Sequence, residues 1–174
     1  TSGRNSGVVH GGFAYDRGSL KAKLCVEGNK MMGDLAKELD FHFIRCGKVL
    51  VGNTEEDMET LKRTMEQGKD NGATGLELID EKRLHELVPA VVGKFAMFSH
   101  NSGIVDPFGY TIALAENAHA NGVEYHFGCE VTAIRREDDD TYEITTTKGN
   151  FKTRWVVNCA GLGCGKISDM LGIT

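Results

Sequence analysis

A chain of 174 residues with 40% hydrophobic content is long enough to bury a core, so the composition excludes a disordered segment. The 20 basic and 25 acidic residues give a net charge of -5, and because no basic stripe accompanies them, a nucleic-acid partner is excluded. No apolar run approaches the roughly 18 residues of a transmembrane helix, and no secretory signal pattern opens the chain. We therefore expect a soluble, cytoplasmic protein.

The sequence predicts neither a metal site nor a disulfide framework. The five cysteines are odd in number, are scattered along the chain and contain no CxxC pair, which disfavours structural disulfides and a zinc site. The six histidines lack ligand spacings such as HxxxH, and metal ligands usually show such spacings. We expect reduced thiols and no bound metal.

The first stretch, TSGRNSGVVHGGFAY, is a glycine-rich loop with no strand or helix ahead of it. Its glycines leave backbone N–H groups accessible, and three short hydroxyl and amide side chains are interleaved with them: Ser2, Asn5 and Ser6. Such groups are the materials of a phosphate or cofactor cradle. A plain linker has the same composition, so both interpretations stay open.

Two helices and a pair of strands are predicted next. Ser19 caps a helix to about residue 39, whose buried face is predicted to comprise Leu20, Leu24, Met31, Leu35 and Leu39. The segment FHFIRCGKVLVG predicts two short strands meeting at Gly47. Thr54 and Asp57 start a second helix, which Gly68 and Gly72 are expected to end.

The second half of the chain begins with short elements and ends with strands. LELI is a strand, Asp80 caps a brief helix, and KFAMFS and GIV are further strands. Asp106 as cap and Pro107 as first helical residue start an alanine-rich helix that ends at Gly122. Four strands forming a meander are predicted in VEYHF, EVTAIRRE, YEITTT and FKTRWVVN. This order of elements predicts an α+β fold, and both ends resemble cuts in a longer protein.

The stretch WVVNCAGLGCGKISDML is predicted as a strand, a glycine turn and a helix start, a layout in which backbone N–H groups meet a phosphate. Its glycines give GxGxG, whereas the dinucleotide fingerprint GxGxxG places its third glycine or alanine at Lys166. A plain strand-to-helix turn is therefore the alternative. Among the histidines, His10 is distinctive because glycines surround it, so its ring could lie close to a bound molecule; an ordinary loop histidine is the alternative.

Several motifs in this order resemble the FAD-dependent oxidoreductases of the D-amino-acid oxidase superfamily: TSGRNSGVVHGG, SLKAKLCVEGN, CGKVLVG, SGIVDP and VVNCAGLG. Within it, the chain is similar to the glycerol-3-phosphate dehydrogenase and L-2-hydroxyglutarate oxidase group. The resemblance covers nearly the whole chain. It implies a mixed, largely antiparallel substrate-domain sheet with helices, together with part of an FAD-binding α/β domain that lacks the N-terminal GxGxxG unit.

The resemblance implies a role for each part of the chain. Residues 1–39 would be an FAD-contacting loop and helix, residues 40–105 a portion of the substrate-binding domain, and residues 106–174 a partial FAD-binding domain with the meander. The implied cofactor-binding residues are Ser2, Asn5, Ser6, Gly11, Gly12, Val131, Ala160 and Gly161. The candidate catalytic residues are His10 and, as lesser candidates, His100 and Tyr110.

The implied activity is hydride transfer to FAD from a secondary alcohol next to an anionic group. Glycerol 3-phosphate is the first expected substrate and L-2-hydroxyglutarate the alternative. The expected partners are the anionic substrate and an electron-acceptor protein or iron–sulfur domain. Because the GxGxxG turn is missing, this chain alone is expected to bind FAD weakly or not at all. A non-catalytic binding module, whose glycine loops are only turns, is the alternative from another class.

Overall fold

The computed structural model describes residues 2–173, which form two compact units, one of residues 2–120 and one of residues 121–173. The helices of the first unit are α1 (Leu20–Glu38), α2 (Glu55–Asp70), α3 (Glu81–Leu87) and α4 (Pro107–Ala120). Its strands are β1 (Val8–Val9), β2 (Phe43–Ile44), β3 (Lys48–Gly52), β4 (Leu76–Asp80), β5 (Phe95–Ser99) and β6 (Gly103–Val105). The short strand β1 lies inside the stretch that the sequence predicts as a loop.

The first unit contains two three-stranded antiparallel sheets. One has the order β1-β6-β2 and the other β3-β5-β4. The central strand β5 places Met97 opposite Leu50 and Leu78, and Met97 is fully buried. The main core cluster combines this strand with the opening loop (residues 2–19), both long helices and the turn after α2. Its residues are Phe13, Val26, Leu61, Ala73 and Met97. The opening loop is therefore anchored in the core.

Helix α1 begins and ends where the sequence predicts, but it buries a different face. The Ser19 hydroxyl accepts from the backbone N–H of Ala22 at 3.1 Å, which confirms the cap. The expected apolar face is wrong, because Leu20 and Met31 are 68% and 63% exposed. The buried residues are Ala22, Val26, Asn29 and Ala36. Gly12 packs directly against Val26, and this close approach of the loop covers the helix face that carries Ala22 and Val26.

Helix α2 confirms its predicted start. Thr54 and Asp57 form a capping box, in which each side chain satisfies the other's backbone N–H. The predicted stop at Gly68 is wrong, because the helix runs to Asp70 and Gly68 is buried inside it. A Cβ at Gly68 would lie 2.7 Å from Cβ of Phe13, so the absence of a side chain at Gly68 allows the opening loop to pack against the helix. Gly72, at φ +81°, follows the helix end.

The strands around Gly47 are confirmed, and Gly47 adopts φ +77° between them. They do not pair with each other, because β2 joins the sheet with β6 and β3 joins the sheet with β5. The start of α4 is also confirmed, since the Phe108 N–H donates to Oδ1 of Asp106 at 3.0 Å. No residue of α4 is buried.

The second unit is an antiparallel meander of β7 (Val131–Arg136), β8 (Tyr142–Thr146) and β9 (Gly149–Thr153), followed by a 3₁₀ turn (Gly161–Gly163) and α5 (Cys164–Asp169). The predicted strand VEYHF is wrong, and the last predicted strand ends at Thr153. Trp155 and Val157 are 83% and 82% exposed. Apolar alternation alone does not make a strand, because strand preference reflects packing against neighbours.

Together the two units confirm the α+β class, with every paired strand of residues 2–173 antiparallel. In this part of the chain no helix has both the length and the apolar character for crossing a membrane. The functional divisions after residues 39 and 105 stay predictions. The compact units of the structure divide after Ala120.

Candidate functional site

Asn5 holds the start of the opening loop, residues 2–19. Its Oδ1 accepts from the Gly7 N–H at 2.8 Å, and its Nδ2 donates to the Ser2 carbonyl at 2.6 Å. Gly7 adopts φ +66°, where a Cβ would lie 2.5 Å from the Val105 carbonyl oxygen. Asn5 therefore shapes the loop internally. The side chains of Ser2 and Ser6, also proposed to contact a cofactor, are exposed.

The adjacent glycines Gly11 and Gly12 are buried, and at both positions a side chain would crowd neighbouring atoms. A Cβ at Gly12, whose φ is +79°, would lie 2.4 Å from Cγ2 of Val26, and a Cβ at Gly11 would lie 3.1 Å from Oγ of Ser99. Ser99 is fully buried and shares a hydrogen bond of 3.0 Å with the hydroxyl of Ser102. The two glycines thus let the loop lie on α1 and on the end of β5. Their contact with a cofactor stays a prediction.

His10 lies immediately before these glycines, with its side chain exposed. The imidazole pKa is lowered from 6.5, first by partial burial of the ring and then by the positive charges of Lys48 and Lys21. The Tyr15 ring lies edge-on to it, with centroids 6.5 Å apart, and the Lys21 ammonium lies 4.5 Å from the Tyr15 ring centroid. The lowered pKa favours the neutral form of the His10 imidazole, which lies in a cationic setting.

Three side-chain amides hold the backbone around His10. Asn29 Nδ2 donates to the His10 carbonyl at 3.0 Å. Asn71 Nδ2 donates to the carbonyls of Gly12 and Tyr15 at 3.2 and 2.8 Å. Gln67 Nε2 also donates to the Tyr15 carbonyl, at 2.9 Å. These three residues, which we call the amide clamp, come from α1 and from the end of α2. Nothing in the sequence marks these three residues as buried, because polar helix residues are ordinarily exposed.

The other two catalytic candidates have different neighbours. The His100 ring packs on Phe98, with centroids 4.3 Å apart, and its Nε2 lies 3.1 Å from Oε2 of Glu77. Tyr110 packs on Phe41, with centroids 4.8 Å apart. These contacts are with residues other than His10, and the catalytic roles of His100 and Tyr110 stay predictions.

The candidate residues of the second unit lie at the start of β7 and in the turn before α5. Val131 is half-buried and pairs with Thr146 beside a bulge. Ala160 and Gly161 are exposed, and Gly161 adopts φ +57°. Asn158 holds this turn, because it accepts from the Ala160 N–H at 3.2 Å and donates to the Cys164 carbonyl at 2.8 Å. The turn is ordered by its own side chains, and its cofactor role stays a prediction.

Arg45 is a further residue of this region that the sequence does not mark. Its Nη1 donates to Oδ1 of Asn29 at 3.0 Å and to the Asn101 carbonyl at 2.8 Å, and its Nη2 donates to the Asn29 carbonyl at 3.2 Å. These residues line a cavity of about 230 Å³ together with Gly11 and Lys30. Among residues 2–173, no cluster of three or more histidine, cysteine or acidic side chains could hold a metal ion.

Curated relatives align with almost the whole chain. A glycerol 3-phosphate dehydrogenase of Caloramator mitchellensis is 38% identical over 173 residues, which are 98% of this chain and 36% of that protein. A mitochondrial L-2-hydroxyglutarate dehydrogenase of Nematostella vectensis is 33% identical over 184 residues, 98% of this chain and 40% of that protein. The chain thus spans about two fifths of the length of these relatives.

Solved structures share its fold. Glycine oxidase from Geobacillus kaustophilus superposes with a TM-score of 0.87 at 23% identity, over 99% of this chain and 48% of the other. Dithionite-reduced L-alpha-glycerophosphate oxidase from Mycoplasma pneumoniae with FAD bound gives 0.83 at 25% identity, over 92% and 44%. The family model described as FAD dependent oxidoreductase matches residues 1–174.

Proposed function

Because this chain belongs to the DAO family of FAD dependent oxidoreductases, we propose that the whole protein oxidises a secondary alcohol next to an anionic group, with glycerol 3-phosphate as substrate. The Caloramator relative, named a glycerol 3-phosphate dehydrogenase, has 38% identity against 33% for the Nematostella relative. Membership of this family favours an enzyme over a non-catalytic binding module.

The observation that carries the proposal is the setting of His10. Oxidation of an alcohol needs a base for the hydroxyl proton, and an imidazole serves only in its neutral form. The pKa of His10 is lowered by partial burial and by Lys48 and Lys21, which favours the neutral form of the ring that a proton acceptor needs. The same two lysines attract an anion. A base and an anion-attracting field thus occur together.

The donor groups of the opening loop fit FAD. Ser2 and Ser6 present exposed hydroxyl groups, and Asn5 fixes the loop between them. Hydroxyl and backbone donors of this kind suit a pyrophosphate or the polar edge of a flavin. FAD, when bound, supplies the two-electron acceptor that takes the hydride from the carbon bearing the hydroxyl group.

The chain's own residues would then divide the remaining work. We assign Ser2, Asn5, Ser6, Gly11 and Gly12 to the cofactor, and the backbone of Val131, Ala160 and Gly161 to its nucleotide part. His10 accepts the hydroxyl proton as the alcohol becomes a ketone. Lys21 and Lys48 attract the phosphate or carboxylate of the substrate. His100 and Tyr110 are secondary candidates for contacts with the substrate.

L-2-hydroxyglutarate is the second candidate substrate. Relatives from Escherichia coli and Homo sapiens named L-2-hydroxyglutarate dehydrogenase are 31% and 33% identical to this chain. This substrate also presents a secondary alcohol beside an anion, so the setting of His10 serves it equally. The names of these relatives favour an electron acceptor other than dioxygen, which we propose to be an acceptor protein or an iron–sulfur domain.

The test is anaerobic reduction of the flavin in the whole protein. We expect glycerol 3-phosphate to bleach the oxidised flavin absorbance in one turnover, and L-2-hydroxyglutarate to do so more slowly or not at all. Glycerol is the matched control, because it keeps the secondary alcohol and lacks the anion. Faster bleaching by L-2-hydroxyglutarate would reverse the order of substrates. Bleaching by glycerol as fast as by glycerol 3-phosphate would contradict anion recognition.

A further inference from the structure

Asn29 is the most completely engaged polar side chain near His10. It is 5% exposed, and its Nδ2 uses both hydrogens, one toward the His10 carbonyl at 3.0 Å and one toward the Asn101 carbonyl at 2.9 Å. Its Oδ1 accepts from Arg45 at 3.0 Å. The amide therefore has a single orientation, since a flipped amide would oppose oxygen to oxygen.

Arg45 holds Asn29 from the opposite side. Its guanidinium spans the Oδ1 and the backbone carbonyl of Asn29 and also reaches the Asn101 carbonyl. These acceptors belong to α1 and to the turn between β5 and β6, so the arginine links helix, turn and loop through Asn29. A planar guanidinium makes such a link with fixed geometry, which a lysine ammonium cannot reproduce.

We propose that Asn29, fixed by Arg45, is a positioning residue that sets the place of the His10 imidazole by anchoring the His10 carbonyl. The proposal rests on the proposed function in that His10 is taken as the base. The carbonyl belongs to the same residue as the ring, and the following Gly11 and Gly12 are backbone that needs external support to stay fixed. Within residues 2–173, the other donor to this carbonyl is the Cys25 thiol at 3.3 Å, and a thiol is a weak donor.

The other members of the amide clamp supply the matched control. Asn71 also donates both hydrogens to loop carbonyls, but these belong to Gly12 and Tyr15, beyond His10 in the chain. Asn71→Leu therefore removes an equivalent pair of hydrogen bonds and loosens the same loop. It does not release the His10 carbonyl. Asn29→Leu and Asn71→Leu are nearly isosteric changes, and Asn29→Leu is expected to lower the melting temperature more, because it also removes the Oδ1 that accepts from Arg45.

The first readout is the titration of the His10 ring in the holoenzyme, followed by NMR with labelled histidine and assigned by His10→Gln. In Asn29→Leu the ring is expected to leave the field of Lys21 and Lys48, so the pKa of His10 rises toward 6.5. In Asn71→Leu the pKa of His10 is expected to stay lowered. An unchanged His10 titration in a folded Asn29→Leu protein would overturn the proposal, and so would equal shifts in both variants.

The second readout is the rate of flavin reduction by substrate in a single turnover. A misplaced base is expected to reduce this rate by about tenfold to a hundredfold, with KM within twofold of wild type. Asn29→Asp keeps the acceptor for Arg45 and loses both donors, so its rate should fall as in Asn29→Leu. Only the rate is compared for this variant, because the new charge itself raises the pKa of a nearby imidazole. A wild-type rate in Asn29→Asp would overturn the proposal.

Arg45→Lys separates the arginine's charge from its geometry. We expect an intermediate loss of rate, because Asn29 keeps its bonds to the loop but loses the guanidinium that holds it. A rate equal to wild type would remove Arg45 from the proposal. Failure of the proposed function is distinguishable from failure of this inference: if the wild type reduces no flavin with either substrate, the function fails, while the titration of His10 still tests the position of the ring.

Discussion

Gly12 lies so close to Val26 that a Cβ on residue 12 would fall 2.4 Å from Cγ2 and 3.2 Å from the backbone nitrogen of that valine. The φ of Gly12 is +79°, a left-handed conformation that side chains rarely adopt. The loop that carries His10 therefore rests on helix α1 at a point where only glycine fits. This contact joins the folding of the core to the geometry of the proposed site.

Gly12→Ala is expected to destabilise the protein by about 2 to 4 kcal/mol, because left-handed strain and overpacking add together. Chemical denaturation measures the change in the free energy of unfolding. Gly28→Ala is the control on the same helix, where nothing lies within 4 Å of an added Cβ. There we expect stabilisation of about 0.5 to 1 kcal/mol. Destabilisation by both variants in equal measure would contradict the packing argument.

The sequence predicts helix starts well because caps are local. Ser19, Thr54, Asp80 and Asp106 each bond to the backbone two or three residues ahead, and a motif of four residues contains the whole interaction. The strand predicted at residues 123–127 fails for the opposite reason. Its alternation is present, but a strand exists only where a partner supplies hydrogen bonds, and pairing is decided by the rest of the fold.

Only part of the candidate site could be predicted from the sequence. The neighbouring glycines mark His10 in the sequence, whereas nothing local marks Asn29 as buried, since asparagine in a helix is ordinarily a surface residue. The apolar spacing of α1 predicts that the face of Leu20 and Leu24 is buried. The opposite result comes from the packing of the opening loop on Val26, which the sequence does not indicate. Burial of a polar residue depends on partners that are distant in sequence.

The lowered pKa of His10 has a consequence for stability against pH. The unfolded chain binds its proton near pH 6.5, and the folded chain binds it only at lower pH. Stability from this residue is therefore fully present above pH 6.5 and is lost as the pH falls through 6.5 toward the folded-state pKa. We expect His10→Gln to lose less unfolding free energy than wild type between pH 7 and pH 5. Equal losses, measured by denaturant titration, would contradict the lowered pKa.

Lys21 and Lys48 are expected to act on both the substrate and the base. Lys21→Gln or Lys48→Gln should raise KM for glycerol 3-phosphate roughly tenfold, because a charge-assisted contact contributes about 1.5 kcal/mol. Either change should also raise the pKa of His10, since both charges lower it. Lys23→Gln is the control, an exposed lysine of the same helix. An equal KM effect of the control would indicate a general field and no specific site.

The chain of 174 residues, purified by itself, is expected to retain FAD weakly or not at all. It carries GxGxG at residues 161–165 and no GxGxxG turn, and that turn supplies the main pyrophosphate contacts in dinucleotide-binding folds. The flavin absorbance of the purified chain, set against its protein absorbance, measures the stoichiometry. One FAD per chain after gel filtration would refute this expectation.

The most direct test of the account is single-turnover flavin reduction by glycerol 3-phosphate in the whole protein and in its His10→Gln variant, at equal FAD content. If His10 accepts the hydroxyl proton, the rate constant falls by about 10²- to 10⁴-fold, while the oxidised flavin spectrum stays as in wild type. A rate constant in the variant within a few-fold of wild type would contradict the role of His10 on which the proposed function depends.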